Sequence, residues 1–240
     1  MNSVLVMQLA GPLQSWGASS RFARRGTEHA PTKSGVLGLL AAAQGRARTD
    51  ALDDLGMLRF GVRVDQPGSP LRDFHTAHRF TTGEALPVSE RIYLADAVFV
   101  AAVEGDADLI DTLHQAVRQP VFMPYLGRRS CPPARPVELG VIHGQSLSVT
   151  LKDHPWEAAR WYKRRRCHQT VIELEMLLEA TGSDGPVDTL PDQPLSFDPI
   201  HRRYALRGVH RTWVTVRNPA ARINAGAIPD HDPTSVLDDV

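Results

Sequence analysis

The apolar positions of this 240-residue chain change period along its length, and each change marks an element. Residues 4–9 are an almost unbroken apolar run, the pattern of a short strand buried on both faces, and Gly11-Pro12 ends it. A polar, basic loop follows over 14–33. Ser34 then stands as an N-cap before Val36, Leu37, Leu39, Leu40 and a run of alanines, which predicts a helix to Gln44 closed by Gly45. Over 59–65 the period drops to two. Phe60, Val62 and Val64 share one face, and Arg59, Gly61, Arg63 and Asp65 the other, the pattern of a half-exposed strand. Residues 96–103 read as another strand. Asp106 or Asp108 caps a second helix whose apolar face is Leu109, Leu113, Ala116 and Val117, and Pro120 stops it. A strand near 137–142 completes the order β-α-β-β-α-β, the ferredoxin-like arrangement shared with RNA-recognition modules.

Between the second and third strands lies a polar stretch rich in His, Arg and Thr, about 72–92. A two-residue turn does not account for it, so it is expected to project as a hairpin or arm. After Gly144 the character changes. Residues 171–178 alternate, 212–217 read as a second strand, and several prolines lie between them. The expected organisation is therefore α+β. A ferredoxin-like domain spans 1–144 with the projecting insert, a small β-rich subdomain spans 145–217, and a tail rich in Ala, Pro and Asp frays from 218 to 240.

Composition changes this picture in one respect. With 42% hydrophobic residues the chain can bury a core, which excludes global disorder. Lys plus Arg and Asp plus Glu both number 27, so the net charge is zero and does not point to nucleic acid. The distribution does. Residues 1–49 carry Arg21, Arg24, Arg25, Lys33, Arg46 and Arg48 against Glu28 alone; 201–217 hold five arginines and no acid; 170–200 hold seven acids and no Lys or Arg. Fields act locally, so segregated charge can build a basic face on a neutral protein; alternatively, the acidic and basic runs pair with one another. Cys131 and Cys167 match no metal spacing, and so few cysteines suit a cytosolic chain. The N-terminus lacks a signal pattern, and no apolar stretch approaches the roughly 18 residues of a membrane span. A soluble, cytoplasmic protein without membrane contact is expected.

Four constellations carry candidate chemistry. In Tyr125-Leu126-Gly127-Arg128-Arg129-Ser130-Cys131-Pro132-Pro133 a glycine lets the backbone approach a partner, two arginines offer forked donors, the tyrosine offers a stacking face, and the prolines stiffen the exit. That suits a sugar–phosphate backbone, and equally a basic surface turn. Pro31-Thr32-Lys33-Ser34-Gly35 at a helix start either holds one phosphate, through free N–H groups with Thr32, Lys33 and Ser34, or is a plain capped helix. Walker A glycines are missing where Thr27 and Thr32 stand, which argues against an NTPase. Gln14-Ser15-Trp16-Gly17 followed by Arg21, Phe22, Arg24 and Arg25 interleaves aromatic and basic residues. Either Trp16 stacks a base while the arginines hold phosphates, or Trp16 fills the core. In the insert, His75 or His78 beside Arg79 could cut RNA by acid–base catalysis through the 2′-OH, although most such histidines are simply polar loop residues. No carboxylate or cysteine stands at ligand spacing, so neither a metal nor a cofactor is expected. Two further basic runs, 163–166 and 201–211, are either solvated faces or contacts to nucleic acid or an acidic partner.

Taken together, Gly11-Pro12-Leu13-Gln14-Ser15-Trp16-Gly17, Pro31-Thr32-Lys33-Ser34-Gly35-Val36-Leu37-Gly38-Leu39-Leu40, Leu71-Arg72-Asp73-Phe74-His75-Thr76 and the segment 124–132 resemble the CasD family, of the RAMP superfamily, in four motifs in the right order. The likeness spans roughly 1–140 and is carried beyond that mainly by 197–211. CasD proteins belong to the type I-E CRISPR surveillance complex, Cascade. The resemblance implies a modified RNA-recognition fold with a glycine-rich loop (127–130) and a protruding thumb (about 72–92). It also implies a non-cutting role: gripping the 5′ handle of the guide RNA (crRNA) beside the large subunit and the last backbone subunit, with target DNA met only through the complex. The residues expected to meet RNA are Gln14, Ser15, Trp16, Arg21, Arg24, Arg25, Thr32, Lys33, Ser34, His75, Tyr125, Gly127, Arg128, Arg129 and Ser130, with no catalytic residue among them.

Overall fold

The unbroken apolar run of residues 4–9 lies within strand β1 (Asn2–Ala10), and it lacks alternation because both of its faces are covered. A computed structural model of the chain describes residues 2–18, 24–182 and 187–222. After β1 come two short strands, β2 (Leu13–Gln14) and β3 (Arg24–Arg25), then helix α1 (Lys33–Ala43), one-turn α2 (Asp53–Gly56) and strand β4 (Arg59–Gln66). A hairpin of β5 (Ser69–His75) and β6 (Ser89–Ala95) leads to β7 (Val98–Asp106), helix α3 (Ala107–Arg118) and β8 (Glu138–His143). Helices α4 (Leu147–Asp153) and α5 (Arg160–Arg165) precede β9 (Val171–Glu179), β10 (Asp188–Ser196) and the long β11 (Arg203–Arg217).

Seven strands form one sheet in the order β10-β11-β9-β4-β7-β1-β8, every neighbouring pair antiparallel. Leu5, Met7 and Leu9 of β1 share a face with Phe99, Ala101 and Val103 of β7, and this face packs under α1 and α3. Val4, Val6, Val100 and Ala102 point the other way and are covered by Leu147 and Leu151 of α4. Each such fully buried side chain contributes about 1.5–3 kcal/mol relative to exposure. The chain is a mixed α and β fold, and β5 and β6 stand between β4 and β7 where the sequence placed its insert.

Three expectations are corrected. First, β4 is not half-exposed: seven of its eight residues are buried, including Arg63 and Asp65 at 0% exposure. Two residues apart on one strand face, they pair bidentately at 2.7 and 2.9 Å, and Arg63 also donates to the carbonyls of Leu151, His154 and Pro155 at 2.7 Å each. All five guanidinium N–H donors are thus matched, which lets an arginine sit beneath α4. Second, the C-terminal strands do not stand apart: β9 pairs with β4 through Gly61–Arg63 against Met176–Leu178, so they extend the same sheet. Third, the tail does not fray at Asn218. That residue is 2% exposed, and its amide donates to the carbonyls of Lys163, Arg166 and Gln169, closing the end of α5. The remainder of the predicted tail, from 223, lies outside the described residues.

Helix α1 begins two residues earlier than predicted. Thr32, not Ser34, is its N-cap, accepting from the Gly35 N–H at 3.3 Å, and Gly45 follows the C-cap at φ +79°. For α3 the cap is Asp106, accepting from the Asp108 N–H. The expected insert is a two-stranded hairpin in full register from Ser69↔Ala95 to His75↔Ser89, prolonged by a bridge between His78 and Ala85. Every residue of β5 is exposed, while β6 pairs with β2 and β3 and buries Tyr93 and Leu94 in the core, so only the outer strand and the tip project. No described helix is long and apolar enough to cross a membrane.

Candidate nucleic-acid interface

The segment after β1 and the Gly127 loop are built against each other. The Ser15 N–H donates to the Leu126 carbonyl at 3.1 Å, the Ala134 N–H donates to Ala10, and Leu126 is fully buried. Gly127 has φ +82°, and a Cβ there would lie 1.9 Å from the Ser15 oxygen. Only glycine allows so close an approach. The loop closes on itself through Leu126 N–H to Cys131 O and Cys131 N–H to Arg128 O. Cys131 is buried and its thiol is raised by that burial, so it packs as an apolar residue.

This junction forms one wall of a cleft of about 960 Å³. Helix α1 forms the floor, and Phe197, Arg202 and Tyr204, flanking and opening β11, close the far side. Arg25, Arg46, Arg48, Arg128, Arg129 and Arg202 line it, with the rings of Phe122, Tyr125, Phe197 and Tyr204. Among the described residues no Asp, Glu or His lines it. Two of the arginines are engaged within the fold. Arg46 is bound bidentately by Asp54, which also holds that carboxyl below its ordinary pKa. Arg128 stacks at 4.8 Å over the Tyr93 ring, and its Nη2 donates to the Arg25 carbonyl at 2.8 Å. Its Nη1 is buried without a hydrogen-bond partner. Burial alone would raise the Tyr93 hydroxyl; contacts with Ser130, Arg128 and Arg91 outweigh it and lower its pKa. Arg25 and Arg129 are exposed.

The predicted site residues divide. Arg25, Tyr125, Gly127, Arg128 and Arg129 come together in the cleft, with Ser15, Thr32 and Ser34 as largely buried parts of its wall. Ser130 is exposed at the loop's end. Trp16 is not a stacking platform: it is 0% exposed, packs on the start of α1, and donates Nε1–H to Gln14 at 3.0 Å. Gln14 is equally buried, its amide donating to Leu9 and Ala97 carbonyls. Lys33 is likewise withdrawn. It is 1% exposed, its Nζ bonds both Glu179 oxygens at 3.0 Å, and burial lowers its pKa. Nor is the helix start open to an anion, because the Lys33 N–H already donates to the Asp192 carboxylate at 2.8 Å. His75 lies on the exposed strand β5 outside the cleft. Arg21 and the Arg24 side chain lie outside the described residues.

Asp192 explains much of the charge segregation. It is fully buried and accepts from Arg207 Nε and Nη2, both at 2.8 Å. Arg211 pairs with Glu175 at 3.1 Å. The acidic run 170–200 therefore does pair with part of the basic runs, while Arg202 and Arg203 remain exposed. Sequence reasoning assigned no role to Arg46 and Arg48, whose charge was counted but whose place after α1 was not, and it left Arg202 and Tyr204 in an open basic run. Phe122 and Phe197 carried no periodic signal at all.

The profile described as CRISPR-associated protein (Cas_Cas5) matches residues 4–210. A curated relative, the CRISPR system Cascade subunit CasD of Escherichia coli (strain K12), is 33% identical over 213 residues, covering 80% of this chain and 92% of its own. Among solved structures, one described as a CRISPR RNA-guided surveillance complex contains a chain with TM-score 0.73 and 33% identity, covering 92% of this chain and 93% of that one. Another, described as the crystal structure of a Cas protein, gives TM-score 0.67 and 34% identity, covering 91% and 97%. The resemblance noted in four short motifs thus extends over most of the chain, and the chain belongs to the Cas5 family of CRISPR-associated proteins.

Proposed function

We propose that this chain is a non-catalytic RNA-binding and assembly subunit of a type I-E CRISPR surveillance complex, gripping the 5′ handle of the crRNA. The observation that carries the reading is the make-up of the cleft: among the described residues six arginines and five aromatic side chains, Trp16 buried within the wall, line it without one carboxylate. Phosphates bridge forked guanidinium donors, and unstacked bases lie on aromatic faces, so this lining suits a bent single strand. Arg129 and Arg25 supply exposed charge at the rim, and Arg128 is fixed between Tyr93 and the Arg25 carbonyl. The relative named as a Cascade subunit supports the assembly role. In this reading strands β8, β1, β7 and β4 with α1 and α3 are the ferredoxin-like RAMP core, and the β5–β6 hairpin is the thumb. The large subunit and the terminal backbone subunit are the protein partners, and target DNA is met only through them.

The absence of cutting follows from the same lining. Cleavage through a 2′-OH needs a base and an acid within hydrogen-bond reach of the scissile phosphate, and arginine serves poorly as either near neutral pH. Among the described residues no histidine or carboxylate lines the cleft. The reading is tested by measuring handle-RNA affinity over a salt series with Arg129→Ala. The exposed guanidinium is expected to hold one phosphate, so the slope of log K against log salt falls by about 1. An unchanged slope and affinity would remove Arg129 from the interface.

A further inference from the structure

We propose that the outward face of α5 is a second, sequence-independent nucleic-acid contact, on the opposite side of the sheet from the Gly127 cleft. Ile172, Leu174, Val214 and Val216 of β9 and β11 pack with Trp156 and Ala158 to form a platform, and Tyr162 of α5 packs against it. By strand alternation these residues share the sheet face of Met176, which packs with α4. The cleft lies on the other face, over α1. Lys163 of α5 lies over the Trp156 ring, and Arg166, just after the helix, lies over the Tyr162 ring. Arg160, Trp161, Arg164 and Arg165 are exposed, with Trp161 at 47%. The spacings 160/164 and 161/165 set these four in two adjoining rows on one helix face.

Some of this protein's arginines are paired within the fold, whereas those at the cleft rim, Arg25, Arg129 and Arg202, are exposed. Arg46, Arg59, Arg63, Arg72, Arg118 and Arg207 each meet a carboxylate within 4.0 Å. Among the described residues no such partner meets Arg160, Arg164 or Arg165. Like charges at i,i+4 oppose helix formation, and a helix of six residues has no stability of its own to offset that. Yet the fold holds it in place, with the buried Asn218 amide capping its last carbonyls. A row of arginine forks beside an exposed indole offers phosphate donors and a stacking face together, the pairing by which a nucleic acid is held without reading its sequence.

The probes are a homopolymeric single-stranded RNA without handle sequence and a mixed-sequence DNA duplex, each titrated against the full chain over a salt series. Arg160→Ala/Arg164→Ala/Arg165→Ala is expected to lower the magnitude of the salt slope by about 2 on single-stranded RNA or by nearly 3 on duplex DNA, at about 0.7 and 0.9 per phosphate. A fall in either arm supports the proposal and identifies the strand type. The matching triple lysine variant should retain most of the slope, and the melting temperature should not move, because the three side chains are exposed. Arg129→Ala should leave this contribution intact, which separates this surface from the cleft. An unchanged slope in both arms overturns the proposal and leaves the face to an acidic protein partner.

Discussion

Asp192→Ala is expected to lower the melting temperature by more than any surface substitution, by roughly 6–20 °C. The carboxylate is 0% exposed, and two strong contacts converge on it: the bidentate Arg207 guanidinium and the N–H of Lys33 at the start of α1. Removing it leaves a guanidinium at 5% exposure without its counter-charge, a loss of about 3–5 kcal/mol. For a domain of this size each kcal/mol moves the melting point by about 2–4 °C. The double variant Asp192→Ala/Arg207→Met separates charge from packing. An apolar side chain over the Phe60 ring, where Arg207 now lies at 5.4 Å, should recover most of the loss. About 1 kcal/mol should remain, because the Lys33 N–H has still lost its acceptor. Thermal melts of the three proteins check this, and a single variant that melts with the wild type would show that the C-terminal strands do not brace α1.

The second large effect falls on the loop itself. Gly127→Ala places a methyl 1.9 Å from the Ser15 oxygen at a backbone φ of +82°. Neither atom can yield cheaply, because the obstacle is main chain. Left-handed strain of order 1–3 kcal/mol then adds to loss of the Ser15–Leu126 hydrogen bond, worth about 1 kcal/mol. The loop must swing away from the Gln14–Trp16 wall, taking Arg128 off Tyr93 and opening the cleft. Handle-RNA affinity should fall on the order of tenfold or more at a temperature where the variant is still folded. Gly17→Ala is the matched control, since nothing lies within 4 Å of its added Cβ. Equal losses in both variants would mean that the loop's close approach is not what shapes the site.

How much of this was legible in the sequence depended on whether the deciding interaction was local. The period of residues 4–9, the capping aspartate of α3 and the unusual glycine at 127 are readable because each is settled by neighbours a few positions away. Arg63 and Asp65 were misread because alternation distinguishes two faces but not whether a second layer covers the polar one; the covering carbonyls arrive about 90 residues later. Lys33 was misread for the same reason. A lysine at a helix start suits a phosphate, but its actual partners, Glu179 and the neighbouring Asp192, lie about 150 positions downstream. Trp16 beside arginines read equally as a stacking surface or a core residue, because nothing in its own segment revealed that Gly35 makes room for the ring. The cleft itself combines residues from the beginning, middle and end of the chain, so only its central loop stood out. The sequence contains its other walls as an unassigned basic run and scattered aromatics.

The central claim is that the cleft beside Gly127, rather than the hairpin or the outer face of the sheet alone, holds the handle. Ultraviolet crosslinking of handle RNA to the full chain, followed by mass spectrometry of the adducts, tests it most directly. The account predicts adducts on the aromatic lining of the cleft, at Tyr125, Phe122 or Tyr204, and their loss in Gly127→Ala. Bound RNA that crosslinks elsewhere and leaves 122–130 and 197–204 unmodified would contradict it.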